Sequence, residues 1–132
     1  MTLVVDASAL VYAGIGLDRP GRRLRERLVS EICHAPHLVD AEFGNALRRR
    51  VHRGELPAAV AGVVFRHAPV LADHRHEQYG SLAQVAWGMR DNLTFYDALY
   101  VALAAALGVP LVTVDRRLAG APALPCDVEL VG

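Results

Sequence analysis

The sequence predicts an α/β sandwich built around a mostly parallel sheet, and three observations predict it. Short β-branched runs ("LVV", "LVTV") alternate with longer segments whose apolar residues recur every third or fourth position, as when strands are joined by helical crossovers. The runs are apolar at every position, as in strands covered on both faces. Two of them end in an aspartate, "VVD" at Asp6 and "VTVD" at Asp115. The carboxyl edge of an open α/β sheet is where ligands bind, so two acids are expected on one edge if those strands are neighbours.

The elements follow in order. Residues 3–5 form a strand ending at Asp6, and Ser8 suits the N-cap of a short helix to about Gly14. Pro20 opens a helix over 20–32, with Leu24, Leu28 and Ile32 on one face. "HAPHLV" is a short extended connection, because Pro36 discourages helix before it. Residues 39–53 are a helix with Val39, Phe43, Leu47 and Val51 every fourth residue, stopped by Gly54. Pro57 starts a helix to about His67, "PVLAD" at 69–73 is a strand, and 76–89 are helical. Residues 94–107 form an apolar helix ended by Gly108 and Pro110. Strands at 111–114 and 128–131 complete the chain.

The chain of 132 residues is one domain of ordinary size, able to bury a core. Its 53% hydrophobic and 21% charged residues exclude a disordered composition. Net charge is +0, so charge alone predicts no partner. Every basic side chain except histidine is arginine, the better fork for phosphate, and the arginines cluster at 22–27, 48–53 and 116–117. Cys33 and Cys126 have no metal or redox spacing and fit free thiols in a reducing compartment. No basic stretch precedes an apolar segment at the start, and the apolar run 98–107 is too short to span a bilayer. A soluble cytoplasmic protein is expected, with no membrane partner. His74 and His76 lie in a loop-like "DHRHE" that suits adventitious nickel or zinc, but no histidine pair has catalytic metal spacing.

Four carboxylates stand at the start or margin of apolar elements. Asp97 matches a capping box with Thr94, and its charge suits the positive end of its helix. Asp115 suits the cap of a short helix at Arg116, and Asp6 suits a turn into the first helix. Glu42 shares a helical stripe with Asn45, Arg49 and Arg53, beside the apolar stripe of Val39 and Phe43. A salt bridge from Glu42 to Arg49 or Arg53 would be a purely structural explanation. Gathered on one sheet edge, the four acids would repel and raise one another's pKa values. A hard divalent cation such as Mg²⁺ removes that conflict with oxygen ligands and suits phosphodiester cleavage.

Three segments carry a family resemblance: "VVDASAL" at the start, "PHLVDAEFGNALRR" at 36–49, and "LTFYDALYVALAAALGVPLVTVDRRL" at 93–118. Together they resemble the PIN domain, and most of all the VapC ribonuclease toxins of toxin–antitoxin modules. The resemblance spans nearly the whole chain and implies a single PIN-like three-layer α/β/α domain over 1–132. The family's four acids fall on Asp6, Glu42, Asp97 and Asp115, and its hydroxyl residues on Ser8 and Thr113.

The implied activity is a Mg²⁺- or Mn²⁺-dependent endoribonuclease that cuts structured RNA, such as tRNA or ribosomal RNA, and stops translation. Asp6 and Asp97 would be the principal metal ligands, Asp115 would bind directly or through water, and Glu42 would complete the cluster and orient or deprotonate the water. Arg116 and Arg117 are the first candidates for phosphate contacts, followed by Arg49 and Arg53. The resemblance further implies a VapB-like antitoxin partner and a homodimer. Two other readings fit the acids alone. One is a non-catalytic module that holds an ion or an arginine-rich tail. The other is an acid-rich α/β phosphatase, weakened by "Asp6-Ala7-Ser8", which lacks a second acid close after the first.

Overall fold

The computed structural model describes all 132 residues. Strand β1 (Thr2–Val5) leads into α1 (Ala7–Ile15) and α2 (Arg19–Ser30). Then come β2 (Ile32–Pro36), α3 (Leu38–His52), α4 (Ala58–His67), a 3₁₀ turn (Ala68–Leu71) and β3 (His74–His76). The chain finishes with α5 (Ser81–Trp87), α6 (Phe95–Leu107), β4 (Leu111–Thr113), α7 (Arg116–Ala119) and β5 (Val128–Leu130).

The sheet runs β3-β2-β1-β4-β5, and every pairing is parallel, so it is wholly parallel where the sequence predicts mostly parallel. The chain first builds outward from β1 through β2 to β3, then returns to the other side of β1 for β4 and β5. That reversal lies between β1 and β4, where Val4 pairs Leu111 and Val5 pairs Val112. A crevice opens at the carboxyl ends of strands at such a point. Helices cover both faces: the consecutive residues Leu3, Val4 and Val5 are all fully buried. On α6 the run from Ala98 to Ala104 is buried without a break, as expected of a helix that is apolar all round.

The structure corrects several sequence expectations. Residues 69–73 are not a strand. Pro69 sits in the first turn of the 3₁₀ helix, where its fixed φ and missing N–H cost little. The sheet position is taken instead by His74–His76, paired with His34–Pro36. His74 and His76 therefore lie on an edge strand and not in a loop, and "HAPHLV" begins as strand β2 rather than as a mere connection. The helix expected over 20–32 starts one residue earlier and ends at Ser30, with Asp18 capping Gly21 N–H at 2.8 Å. The helix expected over 76–89 is confined to Ser81–Trp87. Ser8 does not cap α1; Asp6 does, accepting from Ala9 N–H at 2.9 Å.

Candidate active site

Each of the four acids reaches the crevice from a different element. Asp6 follows β1 directly, and Asp115 lies two residues past the end of β4. Glu42 comes from the second turn of α3 and Asp97 from the first turn of α6. Together with Ser8, Arg49 and Tyr100 they line one cleft of about 190 Å³. The neighbourhood of β1 and β4 that the strand-end argument requires is therefore present. A larger hollow of about 440 Å³, lined by Pro110, Leu124, Pro125 and Asp127 among others, lies at the opposite, amino-terminal end of β4 and gathers a single acid.

Asp6 is the acid most withdrawn from water, at 6% exposure. Both of its oxygens are served by hydroxyls. Ser8 Oγ donates to Oδ1 at 2.7 Å and Thr113 Oγ1 to Oδ2. Each hydroxyl is in turn held by a peptide N–H: Val114 donates to Ser8 Oγ and Asp115 to Thr113 Oγ1. Both hydroxyl protons are thereby aimed at the carboxylate, and the loop after β4 is tied to the end of β1. Burial nonetheless pushes the Asp6 carboxyl above its usual range; these hydrogen bonds pull it down, and the charge of Asp97 raises it further.

Glu42 forms no ion pair with Arg49 or Arg53. Its Oε1 accepts the phenolic O–H of Tyr100 at 2.6 Å. Burial raises its pKa, the Tyr100 bond lowers it, Asp97 and Asp6 raise it, and Arg49 lowers it through space. No sequence signal singles out Tyr100, although it sits three residues after Asp97 and so on the same helix face. The capping box at Asp97 is half formed. Thr94 Oγ1 accepts from Asp97 N–H at 3.2 Å, but the Asp97 carboxylate turns away to Arg117, with Nη2 to Oδ2 at 2.8 Å. Asp115 does cap its short helix, accepting from the N–H groups of Arg117 and Leu118.

The arginines divide. Arg117 spans Asp97 and Asp115, whereas Arg116 is exposed and forms no ion pair. Arg49 walls the acid cleft on one side and a second pocket of about 200 Å³ on the other. Arg53 lines only that second pocket, together with Arg50, a member of the same arginine cluster to which spacing alone assigns no role. The two pockets share Ser8, Ala46 and Arg49, so the acid cleft continues into a basic one.

The profile of the PIN domain matches residues 3–124. Ribonuclease VapC1 of Mycobacterium tuberculosis is 49% identical over 128 residues, 97% of this chain and 96% of that protein. The chain belongs to the PIN-domain family, among the VapC proteins. Ribonuclease VapC9 of the same species is 40% identical, with 98% of each chain covered. The crystal structure of PAE2754 from Pyrobaculum aerophilum superposes with a TM-score of 0.67 at 28% identity, covering 89% of this chain and 85% of that one. The helices that dress the parallel sheet are thus those of a PIN domain. No helix is long and apolar enough to cross a membrane, and Cys33 and Cys126 are free thiols.

A divalent cation fits this PIN cleft by donor chemistry. The donors are hard carboxylate oxygens, with no soft ligand among them, as Mg²⁺ and Mn²⁺ prefer. Asp97 raises the pKa of both Asp6 and Glu42, so the acids lie close enough to repel, a conflict that a dication would relieve. No three of them meet at a ready-made ion position in the present arrangement, and Arg117 bridges Asp97 and Asp115.

Proposed function

We propose that this cleft is the active site of a Mg²⁺- or Mn²⁺-dependent endoribonuclease toxin. The observation that carries the reading is the convergence of four acids from four elements on the β1–β4 crevice, next to an arginine-lined pocket. The ribonuclease names of relatives that span nearly the whole chain support it.

When bound, the ion offsets the negative charge of the phosphodiester and activates the attacking water. Asp6 and Asp97 are its principal ligands, and Asp115 binds directly or through water. Ser8 and Thr113 favour the ionised form of Asp6 and fix its orientation. Glu42, held by Tyr100, orients the attacking water and accepts its proton. Arg49, Arg50 and Arg53 receive phosphates of the chain that continues past the cleft, and Arg116 and Arg117 those beside Asp97 and Asp115.

The substrate is structured RNA such as tRNA or a ribosomal RNA loop, and its cleavage halts translation. The partners are a VapB-like antitoxin that covers the cleft and a second copy of the chain. A cytoplasmic location follows from such a substrate. The test is cleavage of total RNA in Mg²⁺ or Mn²⁺ against EDTA, beside a phosphatase assay on the same sample. Metal-dependent cleavage without phosphatase activity is expected. Phosphate release from a monoester with intact RNA overturns the reading.

A further inference from the structure

Arg117 has an unusual position for a phosphate-binding residue, because its charge is already committed. A single guanidinium nitrogen, Nη2, lies 2.8 Å from Asp97 Oδ2 and 3.1 Å from Asp115 Oδ2. The two acids are well covered, with side chains 19% and 33% exposed, while the arginine that bridges them is 64% exposed. The backbone beneath it is pinned: Asp115 Oδ1 accepts from Arg117 N–H at 2.9 Å. The guanidinium can therefore swing away without moving α7, and its remaining N–H donors make no hydrogen bond within the chain.

Of these two acids, Asp97 is a principal ligand on the reading above, and Asp115 binds the ion directly or through water. A guanidinium and a dication brought to the same pair of carboxylates repel one another. The dication has twice the charge, and the ion pairs it must break are solvent-screened and weak. Once displaced, Arg117 stands at the rim with its charge uncompensated, beside the point where a phosphate arrives. Its planar fork matches two phosphate oxygens.

On the metallo-ribonuclease reading above, we infer that Arg117 is an internal counter-ion that the divalent cation displaces, and that displacement frees it to bind an RNA phosphate. Metal binding thus creates part of the RNA site. Arg117 is a positioning residue in the metal-free protein and a substrate contact in the loaded one. Arg116 carries the same charge one residue away but has no acid partner, and so provides the control.

The experiment is calorimetric titration of Mn²⁺ into the full metal-free chain, for wild type, Arg117→Ala, Arg116→Ala and the Asp6→Asn, Asp97→Asn double variant. It is combined with the binding of a fluorescent, cleavage-resistant 2′-O-methyl oligoribonucleotide with and without Mn²⁺. Removing the competitor should tighten Mn²⁺ binding in Arg117→Ala by roughly two- to tenfold, the strength of two exposed ion pairs. Arg116→Ala should change it much less. Mn²⁺ should strengthen oligonucleotide binding by wild type, and that gain should shrink in Arg117→Ala. Equal tightening in both arginine variants, or none in Arg117→Ala, overturns the inference while leaving the metal site intact. Wild type that takes up no Mn²⁺, or a double variant that binds it equally well, overturns the metal reading and the displacement with it.

Discussion

Tyr100 donates its phenolic proton to Glu42 Oε1 at 2.6 Å, so the helix that carries Asp97 also holds the acid offered by α3. Tyr100 is 1% exposed, while Glu42 is half-buried at the cleft, so the phenol is the carboxylate's one side-chain donor from the protein. Tyr100→Phe should lower the unfolding free energy by about 1–3 kcal/mol, the cost of removing a hydrogen bond to a charged group. Glu42→Gln retains an acceptor for the phenol and should leave stability within about 1 kcal/mol. It should nevertheless suppress RNA cleavage by about 100-fold or more, as loss of a general base does. Urea unfolding and initial cleavage rates on the same preparations separate the two effects.

Asp6→Asn, Asp97→Asn and Asp115→Asn should each abolish most cleavage with the fold retained. Asparagine is as good an N-cap as aspartate, so Asp115→Asn keeps α7, and Asp97→Asn surrenders only exposed contacts to Arg117. Circular dichroism and metal-dependent melting are the measurements. Mn²⁺ should raise the melting temperature of wild type by mass action and leave the Asp6→Asn, Asp97→Asn variant unmoved. A variant at Asp97 that unfolds, with full activity per folded molecule, would show that this acid is a cap and nothing more.

Thr113 lies fully buried between Asp6 and the Asp115 N–H. Thr113→Val keeps the shape but orphans an acceptor on one side and a donor on the other, at about 1–3 kcal/mol of stability. It should also weaken Mn²⁺ binding, because Asp6 loses a bond that favours its ionised form. Thr113→Ser restores the hydroxyl and should recover most of both losses. If the serine variant fails as badly as valine, the methyl packing and not the hydroxyl is what matters.

The pH dependence of stability has two opposing contributions. His34, hydrogen-bonded to His76 at 2.8 Å and stacked on His74, has its pKa pushed below the usual 6.5 by burial and by His76 and His74, with Asp73 opposing. The unfolded chain therefore takes up this proton first, and stability is lost as pH falls through 6.5 toward the folded value. Asp6 and Glu42 have raised pKa values, so they bind protons first when folded, and their contribution recovers as pH falls. Urea midpoints of metal-free wild type and His34→Gln between pH 7.5 and pH 5 isolate the histidine. The difference between them should narrow as pH falls, and a parallel pair of curves would remove His34 from the account.

Replacing Arg49 and Arg50 together by alanine should weaken RNA binding and flatten its salt dependence. The log–log slope should fall by about 0.7 for each single-strand phosphate that is no longer neutralised. Anisotropy titrations over a range of salt read both quantities. An unchanged slope would confine substrate to the Arg116–Arg117 rim.

Much of the site is legible in the sequence because its acids stand where apolar patterns end. Asp6 and Asp115 follow strand runs, and Glu42 borders an apolar stripe. What escapes depends on tertiary choice. Tyr100 hides within an otherwise apolar helix, and only the approach of α3 gives its hydroxyl a partner. Spacing does not decide which of Arg116 and Arg117 meets the acids, since only the tertiary approach of α6 brings Asp97 within reach of Arg117. The third strand is misplaced by sequence pattern because "PVLAD" has strand-like composition and "HRH" does not. At a three-residue sheet edge, pairing to β2 outweighs intrinsic preference.

The hydrogen bond from Thr113 to Asp6 bridges 107 residues of sequence, and this gives the molecule a timetable. During synthesis β1 finds β2 early, but its other flank waits for β4, which is made long after both. Until then an apolar strand lies open on one side, the kind of edge that recruits other chains. A nascent chain released or stalled before residue 113 therefore has a sticky ribbon and no assembled cleft. Folding of this late-closing type is slow, so a holding chaperone should matter most in the interval before β4 leaves the ribosome.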